Sequence, residues 1–143
     1  MSKLAEEPRR IAALADALCG VGTVGVVGGL AAWLMVRAQL LGERITVPKG
    51  AARCSGRPVG GPLTAYEEAA FIRKTALAAT GGKTYGQLDG GDPAAPMAKD
   101  AALLRSSLFT SILAFGVAAA GVGVGAVLVV VGTALRATAA ALR

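Results

Sequence analysis

ALCGVGTVGVVGGLAAWLMV, residues 17–36, is a stretch of the chain without a single charge. As a helix rising about 1.5 Å per residue it reaches about 30 Å, the thickness of a bilayer's hydrocarbon core. A second uncharged stretch, LFTSILAFGVAAAGVGVGAVLVVVGTAL at residues 108–135, reaches about 42 Å and must tilt or project beyond the lipid. Neither carries the polar face that a helix on the surface of a soluble bundle shows at every turn. Both predict transmembrane helices. The fold class expected is an all-α membrane protein: two transmembrane helices in a hairpin, with a long connector carrying one short amphipathic helix. The segments are a tail at 1–16, a span at 17–36, a connector at 37–107, a span at 108–135 and a tail at 136–143.

Composition agrees with this division. Of 143 residues 54% are hydrophobic but only 4% are aromatic, and 20 are glycine, so large space-fillers for a water-excluded core are scarce. Small residues are instead what packs helices in lipid. The first span follows a basic start (Lys3, Arg9, Arg10), as a signal peptide would. Its apolar run is longer than a signal peptide's, and no small-x-small pair precedes Arg37, so an uncleaved hairpin is expected. The basic amino-terminal tail and Arg136 and Arg143 favour both termini in the cytoplasm and the connector outside, although ten of the 15 basic residues lie between Arg37 and Arg105.

Between Pro48 and Pro62 proline and glycine are too dense for any regular element. Beyond it, Thr64-Ala65-Tyr66-Glu67 fits a capping box. Acids at Glu67 and Glu68 suit a helix amino terminus, and Gly81-Gly82 supplies a stop. A helix over about 65–79 is expected. Its apolar stripe, with Tyr66, Phe71, Ile72 and Leu77, is expected to rest on the membrane surface or a partner. Asp89 to Pro96 is again rich in breakers.

Few residues invite a chemical reading. Gly81-Gly82-Lys83-Thr84 ends like a phosphate-binding P-loop, but Leu77 stands where the motif needs glycine, and the segment closes a helix rather than opening one. Asp16 lies at the start of the first span, within reach of headgroups, and not at the mid-membrane depth of a proton carrier. Glu67/Glu68 and Asp89/Asp92 read as helix-end and turn charges, with nothing apolar around them to separate their pKa values. Cys19 in the span and Cys54 in the connector are not expected to reach disulfide distance. The chain contains no histidine, the commonest acid–base catalyst and metal ligand. No catalytic, cofactor-binding or metal-binding residue and no cofactor is therefore expected.

The spans do show a pattern with a physical purpose. Gly22, Gly25 and Gly29 recur on one side of the first helix, and Ala118, Gly121, Gly125 and Gly132 on one side of the second. Each row contains a Gly-x-x-x-Gly, which lets two backbones approach closely. These residues are the expected helix-packing positions, between the spans or between chains, and Trp33 fits an interfacial anchor.

Gly61-Pro62-Leu63-Thr64-Ala65-Tyr66, then Ala79-Thr80-Gly81-Gly82-Lys83-Thr84-Tyr85 with Leu88 and Asp92-Pro93, and Ser107-Leu108-Phe109-Thr110-Ser111 leading to Phe115-Gly116-Val117-Ala118, together resemble a group of small two-span actinobacterial membrane proteins of unknown function. The resemblance covers about Gly61 to Leu135 and implies a membrane protein. Members often carry an automatic label as an aromatic ring-opening dioxygenase. Such enzymes hold iron with histidine and carboxylate, so the chain contradicts that activity.

The function expected is that of a non-enzymatic integral membrane protein, an accessory or interaction subunit of a larger membrane assembly. The alternative is a self-assembling hairpin forming a pore or transport path, against which neither span has a polar stripe. The partners expected are the lipid bilayer and a membrane protein or a second copy of the chain. The net charge of +6 also raises recognition of anionic lipid, but acids alternate with the bases along the connector and no basic block forms. Nucleic acid is not expected as a partner for the same reason, and no small-molecule substrate is evident.

Overall fold

The computed structural model describes residues 2–141, with side chains from residue 7 onward; the Lys3 side chain and Arg143, both used above to orient the chain, lie outside the described residues. The order of elements is α1 (Ser2–Gly42), α2 (Pro62–Ala79), one 3-10 turn (Tyr85–Gln87) and α3 (Ala95–Ala141). No strand occurs among the described residues. An isolated antiparallel bridge joins Thr46 and Pro58.

α1 and α3 are long and apolar enough to cross a membrane, over Glu7–Gly42 and Ala95–Ala141. They contain the two uncharged stretches and continue past both ends of each. After Val36 the chain runs Arg37-Ala38-Gln39-Leu40-Leu41, residues with high helix propensity, so the helix has no local reason to stop before Gly42. α3 begins well ahead of Leu108. Pro96 sits in its first turn, where a missing N–H costs nothing, and the Asp92 carboxylate accepts the Ala94 N–H at 2.8 Å.

The chain forms two compact units. One comprises the residues up to Trp33 with those from Gly116 onward. Here α1 and α3 run antiparallel, and the contact repeats every seven residues: Ala15, Gly22 and Gly29 are buried on α1, and Ala118, Gly125, Gly132 and Ala139 on α3. A seven-residue seam stays in register only if the helices wind about each other left-handedly. The approach is backbone to backbone. A methyl group at Gly22 would stand 2.6 Å from the Gly125 carbonyl oxygen, one at Gly29 2.6 Å from that of Ala118, and one at Gly132 2.6 Å from the Cys19 sulfur. Gly25 is tight as well, at 3.2 Å from the Gly121 oxygen, whereas a methyl group at Gly121 would find ordinary contact at 3.6 Å. Most large apolar side chains turn outward instead, with Val24 and Val117 each more than two-thirds exposed, while Val122 and Val129 lie beside the seam glycines.

The second unit runs from Leu34 to Phe115. Residues 43–61 form a hairpin-like loop held by Val47 N–H to Arg57 O (2.9 Å) and Val59 N–H to Ile45 O (2.8 Å), with Val47 and Val59 fully buried. Arg37 donates to the Gly60 carbonyl at 2.8 Å, and the Arg53 N–H donates to the Glu67 carboxylate at 3.2 Å, so the loop is tied to both α1 and α2. α2 starts earlier than the capping box implied. Pro62 is its first residue, preset for helix, and the Thr64 hydroxyl reaches back to accept the N–H groups of Gly60 and Gly61, both at 3.1 Å. Thr64 is therefore inside the helix, and the Glu67 carboxylate holds the loop rather than the Thr64 amide. At the other end the Gly82 N–H bonds back to Leu77 O at 2.7 Å, with Gly81 and Gly82 both at positive φ, the geometry in which glycine closes a helix.

The seam gives a direct test. Gly125→Leu forces side-chain atoms into backbone and is expected to destabilise the purified protein by about 1–3 kcal/mol. Gly123→Leu, at a position with open space around it, is expected to change stability by less than about 0.5 kcal/mol. Thermal unfolding in a neutral detergent, followed by circular dichroism, measures both.

Candidate functional site

The chemistry-bearing side chains gather in the second unit, where α2 packs beside the first turns of α3. The expected apolar stripe of α2 faces this way. Phe71, Ile72 and Leu77 are half-buried against α3, and Tyr66, although half-exposed, meets Phe109 edge to face at 6.4 Å between ring centres. Much of the surface assigned to a membrane or a partner is thus occupied by the chain's own third helix. Helical periodicity shows that a face is apolar; it does not show which neighbour covers it.

Two different environments result. On one side a groove of about 300 Å³ is walled by Phe71, Ile72, Met97 and Leu104, with Glu68 and Asp100 among its lining residues. Glu68 is only 8% exposed and its Oε2 has no hydrogen-bond partner. Desolvation by this burial pushes its carboxyl above the ordinary value. The expectation that nothing apolar surrounds Glu67 and Glu68 is overturned: both are buried, because α2 begins at Pro62 and places them in its second turn, under the loop and against α3. Glu67 is satisfied by the Arg53 amide; Glu68 has an orphaned oxygen.

On the other side two cavities share Arg73, Leu77 and Arg105. One, of about 360 Å³, adds Tyr66, Ala70, Lys74 and Phe109; the other, of about 80 Å³, adds Lys83, Thr84, Tyr85 and small residues of α3. The glycine closure after Leu77 turns the chain back, and the Thr84 N–H donates to the Gln87 side-chain oxygen (2.9 Å), which sets Lys83 and Tyr85 beside α3. Arg105 is half-buried, its Nε lacks a partner, and its guanidinium carbon lies 5.8 Å from the centre of the Phe109 ring. The basic block that is absent from the linear sequence exists here in space. It is not legible along the chain because its members come from three separated segments; the one signal is the Gly-Gly-Lys-Thr-Tyr turn, which by itself reads as a helix stop.

The remaining residues take other places. Gly22, Gly25, Gly29, Ala118, Gly121, Gly125 and Gly132 all belong to the seam of the first unit. At the end of that seam the Arg136 Nε donates to the Asp16 carboxylate at 2.7 Å. Asp16 is thus the ion-pair partner of a residue 120 positions away. The Cys19 thiol lies 3.9 Å from the Val129 carbonyl, and Cys54 lines a pocket with Arg37 and Arg57. Among the described residues no cluster of three or more cysteines and carboxylates could hold a metal ion. In comparison with known proteins, the chain matches no family model, no curated protein and no solved structure.

Glu68 leads to a pH prediction. Because its folded carboxyl holds its proton more firmly than the unfolded one, the native state binds more protons, and stability falls as pH rises from about 4.5 through the raised folded value. Glu68→Gln removes the charge at nearly constant shape. At pH 7 the variant is expected to be more stable than the wild type, because a neutral amide costs less to bury than a carboxylate, and at pH 4 the two should coincide. Thermal unfolding at the two pH values measures the difference.

Proposed function

We propose that this chain is a non-enzymatic integral membrane protein, held in the bilayer by its glycine-seamed hairpin, that serves as an accessory or interaction subunit of a larger membrane assembly. The supporting observation is the division of labour between side chains in the first unit. Glycine and alanine form the line of closest approach, flanked by Val122, Val129 and Cys19, and most of the other valines and leucines point away from it into surroundings that the chain itself does not provide. In water such a surface drives aggregation; in lipid it is at home. Only 11% and 17% of the most apolar windows of α1 and α3 are buried within the chain, which favours membrane spans over core helices of a soluble protein.

The alternative, a self-assembling hairpin that forms a pore or transport path, draws no support from the seam. Its backbones approach too closely for a methyl group, let alone a file of water, and its polar groups are turned into helix hydrogen bonds, as in Thr23 to Cys19 O at 2.7 Å. Both termini are placed in the cytoplasm and the connector outside, on the charge pattern of the tails.

Three measurements test the reading. The native protein should resist alkaline extraction from membranes, and Cys54 should react with an impermeant thiol reagent on intact cells. Crosslinking at native expression should give a species larger than the monomer. Release by alkali would refute the membrane reading, Cys54 labelling only after lysis would reverse the topology, and monomer alone would remove the interaction subunit.

A further inference from the structure

We propose that the cleft framed by Arg73, Lys74, Lys83 and Arg105 binds the phosphate group of an anionic amphiphile, and that this amphiphile is a phospholipid with its headgroup in the cleft. The four cations line two adjoining cavities of about 80 and 360 Å³, and no aspartate or glutamate is among the lining residues. Among the described residues none of the four has a carboxylate within ion-pair distance. This arrangement is incomplete on its own: like charges brought together repel, and the buried Nε of Arg105 has no acceptor. One bound phosphate oxygen satisfies that donor, and the phosphate charge offsets the repulsion. The planar guanidinium is suited to the task, since it offers parallel N–H donors to a tetrahedral oxyanion.

The rest of the lining argues for more than a free anion. Tyr66, Ala70, Leu77 and Phe109 give the larger cavity apolar walls, and Thr84 and Tyr85 add polar residues to the lining of the smaller one. The Arg105 guanidinium lies over the Phe109 ring within cation–π range, at 5.8 Å from its centre, so the same wall that packs an acyl or glycerol segment also faces the guanidinium. Arg105 lies three residues before the uncharged stretch that begins at Leu108, about 4.5 Å along the helix axis. That step rests on the reading of residues 108–135 as a membrane span, which puts Arg105 at headgroup level. Glu68 and Asp100 line a separate groove, so their charge does not occupy the cleft.

The test uses the full chain, purified in a neutral detergent and stripped of lipid, with native mass spectrometry as the readout. Phosphatidylglycerol, phosphatidylcholine and glycerol phosphate are added separately. The expected result is retention of phosphatidylglycerol at least tenfold above phosphatidylcholine, a tenfold or greater loss of that retention in Lys83→Gln/Arg105→Gln, and no change in Lys99→Gln, a cation of α3 outside the cleft. Circular dichroism verifies that the double variant is folded, and Arg73→Gln/Lys74→Gln, both exposed, repeats the test where folding is not at stake. Equal retention of phosphatidylglycerol by the wild type and both double variants would overturn the site. Glycerol phosphate bound as tightly as phosphatidylglycerol, and lost in the same variants, would uphold the phosphate site and overturn the lipid as its occupant. Alkaline release of the protein from membranes would remove the span reading, and the glycerol phosphate arm would still report on the cleft.

Discussion

Where Gly22 meets Gly125 neither residue places a side chain between the two helices, and the backbones pack against each other with the Val129 side chain alongside. In lipid there is no hydrophobic drive for apolar helices to associate, so close dispersion contact and weak Cα–H···O bonds must supply it, and both fade within about an ångström of separation. The other features of the first unit follow from this requirement. The seam selects an antiparallel pairing and a seven-residue repeat, it sends the bulky side chains outward, and it brings Asp16 of one helix to Arg136 of the other. The ion pair closes the seam without causing it: it is exposed and worth little by itself.

The connector solves a different problem. With so few large apolar residues it cannot build a broad core, and it relies on hydrogen bonds from its loop to the helices around it. Arg37 and Glu67 each satisfy a backbone group of the loop, which allows Val47 and Val59 to be buried beneath it. Among the described residues two buried side-chain atoms lack a hydrogen-bond partner, the Glu68 Oε2 and the Arg105 Nε, and the two residues line cavities on different sides of the α2–α3 contact. Ordinary folded structure satisfies its buried polar atoms, so orphans that line cavities are where a ligand has something to gain.

Much of the architecture could be read from local sequence because it is caused locally. An uncharged stretch of 20 or more residues is apolar whatever surrounds it, and Gly81-Gly82 ends a helix because glycine alone enters the left-handed region without strain. The start of α2 was misplaced for an equally local reason, since a proline at the first helical position outranked the threonine that resembled a cap. The burial of Glu67 and Glu68 was not legible at all. Their charge predicts solvent, and only the loop and α3 closing over them remove it.

The chain by itself thus determined which segments are helical, which are apolar enough for a membrane and which residues are small enough to let two helices touch, because these depend on side-chain size, charge and backbone preference over a few neighbours. Tertiary structure decided which glycines are under real constraint, demanding at Gly22, Gly29, Gly125 and Gly132 but lenient at Gly121, because the register of two helices sets each distance. It also turned scattered bases at 73, 74, 83 and 105 into one cleft. Charge in a sequence is counted along the chain, whereas the field that a ligand meets is summed through space.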